Sequence, residues 1–150
     1  MPRAVWLSMV LLAATCGGAA AAEDGMHLFN DNCSACHQKH GEGTPNLAPP
    51  LNSPILKAAV KAGEADYPVK VVLNGLAGKI TVNGQPFISA MPARADLSDA
   101  QIAAIVAHVL RDLNGIDIKA ADLPGPEAVA RLRQTPVAHA ELRRIRQGLE

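Results

Sequence analysis

The sequence predicts a small all-α domain, and three observations carry that expectation. A helix with its own start and stop signals runs over 98–113, a second helical pattern covers 24–39, and no alternation of strands with helices is visible. Aromatic residues make up only 3% of the chain, too few to supply the large buried side chains on which a core of this size normally leans. Some other large, flat, apolar body is therefore expected inside the fold. At 150 residues with 14 basic and 14 acidic side chains, the chain is one domain's worth with room for a short extra segment. Its near-zero net charge argues against strong long-range steering by a single oppositely charged partner, and no nucleic-acid partner is expected.

The chain divides into an export signal over 1–22, a main domain over 23–115 and an extension over 116–150. In the first segment Arg3 gives a positive start, Val5 to Ala14 an apolar run, and Ala20-Ala21-Ala22 a small-residue end, with processing before Glu23. The run is too short to span a bilayer as a stable helix, so no transmembrane anchor is expected after processing. Cys16 offers lipid attachment as an alternative, but Ala13-Ala14-Thr15 is a poor version of that signal. The expected location is the periplasm.

The main domain opens with the helix over 24–39, on which Phe29 follows Gly25 by four residues and shares its face. Gly41, Gly43, Pro45, Pro49 and Pro50 then break the chain into loop. Ser53 is placed to cap a short helix with Pro54 at its first position, and Pro68 opens another that ends at Asn74-Gly75. Ile80-Thr81-Val82, Asn83-Gly84 and Gln85-Pro86-Phe87 read as a small hairpin with a tight turn. The helix over 98–113 has a capping box in Ser98 and Gln101. Ile102, Ile105, Val106, Val109, Leu110 and Leu113 form one apolar stripe along it, and Asn114-Gly115 stops it.

The chemistry sits in Asn32-Cys33-Ser34-Ala35-Cys36-His37, which contains C-x-x-C-H, the attachment pattern of a c-type haem. Two thiols at this spacing can add across the two vinyl groups on one porphyrin edge. The histidine directly after the second thiol is then carried under the ring as an iron ligand. A thioredoxin-like dithiol would need a βαβ context, and a zinc site would need a further ligand pair; neither is present at normal spacing. One covalent haem c on Cys33 and Cys36 is therefore expected, with His37 as the proximal ligand.

Met91 is the candidate distal ligand. It lies 54 residues beyond His37 and ends a loop rich in Gly and Pro, long enough to wrap the ring edge. Its alternative use is as core filler. Met26 precedes the attachment site on the same helix and cannot reach the opposite face. His40 is too close to His37 to cross the ring, while His27, His108 and His139 read as packing or surface residues. A His37/Met91 pair raises the haem potential and leaves no open coordination site, which suits electron transfer. The rival reading, a haem sensor or small peroxidase-like enzyme, needs an open distal position.

Beyond Gly115 the character changes. Pro124-Gly125-Pro126 marks a linker, and from Pro124 onward there are five Arg against three Glu. The stretch can be helical and lie on the domain or on a partner; a merely solvated tail is the reading preferred from sequence.

With C-x-x-C-H, Met91-Pro92 and the terminal helix in that order, residues 24–115 resemble class I cytochromes c. The resemblance implies a fold in which the N- and C-terminal helices cross around one haem, with Gly25 permitting close approach. Where the family usually has an aromatic on the last helix, this chain has His108. The resemblance also implies a proline carbonyl that accepts the proximal imidazole's hydrogen bond; Pro49 aligns best, with Pro50 in reserve. The run from Val72-Leu73-Asn74-Gly75 through Val82-Asn83-Gly84 and Met91-Pro92 to Leu97-Ser98-Asp99 looks like cytochrome subunits that serve periplasmic dehydrogenases. Similar segments occur beside nitrite reductases and terminal oxidases. The implied role is an electron carrier, not an enzyme, taking electrons from a dehydrogenase or reductase and giving them to an oxidase or another cytochrome.

Overall fold

Asp24 opens the first helix, α1 (Gly25–Asn32), its carboxylate accepting from the backbone N–H of Met26 at 3.0 Å and of His27 at 3.2 Å. The computed structural model describes residues 24–150, so the expected export signal and Cys16 lie outside the described residues. The single helix expected over 24–39 is two helices. The backbone bends at Cys33 (φ −125°, ψ −27°), and a short α2 (Ser34–His37) follows before Gln38 turns away at φ 61°. Two side chains bond back along the chain at this bend, Asn32 Nδ2 to Leu28 O at 2.8 Å and Ser34 Oγ to Asn30 O at 2.5 Å. Such back-bonding loosens the helical ladder.

Two helices and a hairpin follow: α3 (Pro54–Lys61), α4 (Tyr67–Asn74), β1 (Ile80–Val82) and β2 (Gln85–Phe87). Ser53 occupies the cap position of α3, but its hydroxyl makes no capping bond. Instead its backbone N–H donates to the buried Asn114 Oδ1 at 3.3 Å. In the hairpin Ile80 faces Phe87 and Val82 faces Gln85, and Asn83 and Gly84 both have positive φ, as a type I′ turn requires. Val82 and Phe87 point inward.

The last helix of the main domain, α5 (Asp99–His108), begins with the complete capping box. Gln101 N–H donates to Ser98 Oγ at 3.1 Å and Ser98 N–H to Gln101 Oε1 at 3.0 Å. It continues as a π-helical turn (Val109–Leu113), which the sequence does not announce. Asn114 Nδ2 donates to Val109 O at 2.8 Å inside this turn, while its Oδ1 holds Ser53. One buried amide thus ties the end of α5 to the start of α3.

α1 and α5 cross in close contact. A Cβ on Gly25 would lie 2.2 Å from Ala104 O, a distance no side chain tolerates. His108 packs against Phe29 with ring centroids 5.5 Å apart and planes tilted by 53°, its Nδ1 bonded to Asp112 Oδ2 at 2.6 Å. A histidine thus takes the place of the aromatic expected there. Ile102, Ile105 and Val106 on α5 and Val109 and Leu110 in the π turn are buried, as the stripe predicts, while Leu113 at the end of that turn is only half-buried.

The solvated tail preferred from sequence is overturned. Pro124-Gly125-Pro126 is the start of α6 (Pro126–Arg133), and α7 (His139–Leu149) follows; both pack on α4, α6 also on α5 and α7 on α3. Val129 and Leu142 are completely buried. Arg133 ties α6 to the entry of α5, donating to Asp99 Oδ1 at 2.9 Å, Ala95 O at 2.7 Å and Leu97 O at 2.8 Å. Among the described residues no helix is long and apolar enough to cross a membrane.

Candidate functional site

The elements surround a cavity that opens to solvent, about 1240 Å³ when the open space at its mouth is counted. Its walls are almost wholly apolar: Phe29 from α1, Ile55 and Leu56 from α3, Val71 and Val72 from α4, and Ile105, Val106 and Val109 from α5 and its π turn. The crossing helices α1 and α5 contribute Phe29, Ile105 and Val106, and two loop segments, 47–51 and 89–92, join the lining.

Cys33, Cys36 and His37 all line this cavity. Both cysteines are free thiols, Cys33 half-buried and Cys36 exposed at the rim. The bend at Cys33 is what turns α2 so that the pair and the histidine face one space. Burial raises the Cys33 thiol, with Arg94 pulling it back and Cys36 pushing it further up. His37 is buried, and burial lowers its imidazole below the usual value, partly offset by its bond to Pro49. That bond joins Nδ1 to Pro49 O at 3.0 Å. A carbonyl can only accept, so Nδ1 carries the proton and Nε2 keeps a free lone pair. Pro50 also lines the cavity but is not the acceptor.

Met91 lines the same cavity. Its backbone is pinned to Leu76 by two hydrogen bonds, Leu76 N–H to Met91 O at 3.0 Å and Met91 N–H to Leu76 O at 2.8 Å. Gly75 makes that approach feasible: its φ is +72°, and a Cβ there would sit 2.6 Å from Met91 O. Arg94 then ties the loop to the end of α1. Its Nη1 donates to Asn32 O at 2.8 Å and its Nη2 to Asn32 Oδ1 at 2.9 Å, while the same guanidinium grips Asp96. The residue before Cys33 and the loop that carries Met91 are thereby held together.

The other candidates stay away from the cavity. His27 faces Asp31 on the surface, His40 is exposed, His108 is packed on Phe29, and His139 Nε2 bonds Asn74 O at 3.0 Å. Met26 is 55% exposed. Among the described residues no group of three or more His, Cys, Asp or Glu side chains is placed to hold a metal ion, so the zinc alternative finds no ligand set.

Two cavity residues escape sequence reasoning, Tyr67 and Arg146, both buried. A signal for Arg146 existed, since it lies four residues after Leu142 on the same face of α7. Neither the Tyr67 hydroxyl nor Arg146 Nε has a hydrogen-bond partner. Burial raises the Tyr67 phenol, and the adjacent Arg146 opposes that rise.

These residues fit a haem. Paired free thiols line the cavity beside an imidazole with an open Nε2, apolar walls suit a flat macrocycle, and two lining residues, Tyr67 and Arg146, carry buried donors without an acceptor.

Comparison with known proteins agrees with this fit. The family described as "Cytochrome c" matches residues 22–111. One cytochrome c-552 of Thermus thermophilus is 37% identical over 94 residues, covering 62% of this chain and 63% of that protein. A second cytochrome c-552 of Thermus thermophilus is 36% identical over 86 residues, covering 57% of this chain and 65% of its own length. The alignments thus span a little under two thirds of these relatives.

Proposed function

Since this chain belongs to the cytochrome c family and its Cys33/Cys36 pair implies a covalent haem c, we propose that it is an electron carrier with a closed iron site. When bound, the haem supplies a reversible one-electron Fe(III)/Fe(II) couple. Every other part of the function belongs to the chain. Cys33 and Cys36 hold the cofactor by thioether bonds. His37 presents a neutral Nε2, oriented by the donation from Nδ1 to Pro49 O. Met91 would present a thioether from the loop pinned to Leu76, and the apolar walls would keep water from the ring.

The observation that carries this reading is the placement of Met91 on the cavity that holds His37, in a loop pinned to Leu76 and Asn32. A thioether held in this way would serve as the second iron ligand and would leave no open position for a substrate. This favours transfer over sensing or peroxidase chemistry.

Partners would dock where the cofactor's edge approaches solvent. Cys36 is exposed there, and Leu47, which lines the mouth, is 50% exposed; its carbonyl accepts from Ser89 across the cavity loops. Brief, small contacts suit such an edge. The expected donor is a dehydrogenase or reductase, the acceptor an oxidase or another cytochrome, and the location the periplasm, on the strength of the export signal over 1–22.

An absorption spectrum of the oxidised protein tests the reading. The weak far-red band of methionine sulfur on ferric haem is expected, with no change in the reduced spectrum on adding carbon monoxide. A missing band together with ready carbon monoxide binding would put an open-site sensor or enzyme ahead.

A further inference from the structure

The segment beyond residue 111 lies outside the family match, yet one of its side chains reaches the cofactor cavity. Arg146, on α7, is only 7% exposed. Its Nη2 donates to Thr81 O at 3.1 Å. Its Nε comes within 3.2 Å of Glu150 Oε1 but is not aimed at it, and so stays without a hydrogen bond. Beside it, the hydroxyl of Tyr67 on α4 is likewise buried and unpartnered. A buried guanidinium N–H and a buried phenol O–H left without acceptors are expensive, and an anion that accepts from both would remedy the two together.

We propose that Arg146 and Tyr67 form the seat for a propionate carboxylate of the haem, so that the C-terminal extension completes the cofactor site. This rests on the haem reading above. The carboxylates are the cofactor's anionic side groups, and among the described residues Arg146 is the only cationic side chain that lines the cavity apart from the imidazole of His37. Arg146 is a positioning residue here: it neutralises a charge on the ring's edge and so favours the more electron-rich, reduced state. The same bond fastens α7 to the cofactor and gives the extension a role in setting the potential.

The test is the midpoint potential of the full-length haem protein at pH 7. R146Q should lower it, shifting the reduction equilibrium by up to about tenfold, which is 59 mV for a one-electron couple. Y67F should shift it in the same direction by less, and R146K should recover part of the loss. R143Q is the control for bulk charge. Arg143 lies on the same helix but bonds Ala77 O and does not line the cavity, so its loss should matter far less. Equal shifts in R146Q and R143Q, or no shift in R146Q, would overturn the proposal. If R146Q does not accumulate, R146K and Y67F decide: wild-type potentials in both overturn it. Absence of covalently bound haem from the wild-type protein on a denaturing gel would instead defeat the haem reading itself.

Discussion

Replacing Gly25 with alanine should destabilise the protein, although the same change usually strengthens a helix. The new Cβ would lie 2.2 Å from Ala104 O, 2.9 Å from Ala104 C and 3.1 Å from His108 Cβ. Two of these three neighbours are backbone atoms of α5, which cannot swing aside as a side-chain tip does. α1 must therefore back away by roughly an ångström, and a gap of that size forfeits about a quarter to a half of the dispersion energy of each contact it opens. Overpacking of this kind costs about 1–3 kcal/mol. The gain in helix propensity, at most about 1 kcal/mol, offsets only part of it. A net loss of about 1–2 kcal/mol is expected, read from guanidinium unfolding of the ferric protein followed by circular dichroism. Two glycines calibrate the result. Gly148→Ala adds a Cβ with nothing within 4 Å and no positive φ, so it should leave stability unchanged or raise it. Gly63→Ala also meets open space but has φ +77°, so it should lose about 1 kcal/mol through backbone strain alone. A Gly25→Ala protein as stable as wild type would refute the close-crossing argument.

Met91→Ala should abolish the far-red methionine band and let carbon monoxide bind the reduced protein, as visible spectroscopy in one cuvette would show. Leu142→Ala empties a completely buried position under α7 and should cost about 2–4 kcal/mol in denaturant unfolding; a loss below about 0.5 kcal/mol would mean the extension is not part of the core. Arg94→Gln breaks the two bonds to Asn32 and should cost about 1–2 kcal/mol, while Asp96→Asn, at a fully exposed carboxylate, should pass unnoticed in the same assay. Lys70 is penalised by burial, but its bonds to Glu64 and Asp66 outweigh this and raise its pKa. Its contribution is therefore complete below the ordinary lysine value and is lost as pH climbs through the raised one, so Lys70→Met should narrow the gap in stability between pH 9 and pH 12.

Much of the architecture was written in local signals. The capping box at Ser98, the stripe through Leu110 and the Asn83-Gly84 turn each depend on residues within a few positions of one another, and each is found where the pattern put it. What the sequence hid depends on contacts made across the fold. The π turn at Val109–Leu113 goes with Asn114 bonding both Val109 and Ser53, a pairing no local window contains. The bend at Cys33 sits inside an otherwise good helical pattern. The extension looked solvated because its five arginines dominate its composition, yet Arg133 and Arg146 direct their charge to backbone carbonyls of the main domain. Arginine carries a long apolar stem, so an Arg-rich helix can still bury one face.

The extension bears on how the cavity keeps its shape. α6 grips the entry of α5 through Arg133, and α7 reaches the turn after α4 through Arg143 and the hairpin through Arg146. The Asn74 side chain accepts from Val137 N–H at 3.0 Å, and its carbonyl accepts from His139. Asn74 directly precedes Gly75 and Leu76, the residues against which Met91 is pinned. The chain of bonds thus runs from the extension to the end of α4, then to the Met91 loop, then through Arg94 to Asn32 beside Cys33. On the carrier reading proposed above, a site that changes oxidation state at every turnover would gain from ligands that do not move, because each rearrangement would slow the transfer. By this logic the arginines act as braces behind the loop that carries Met91, through the 2.7–3.1 Å contacts that Arg133, Arg94 and Arg146 make to backbone carbonyls.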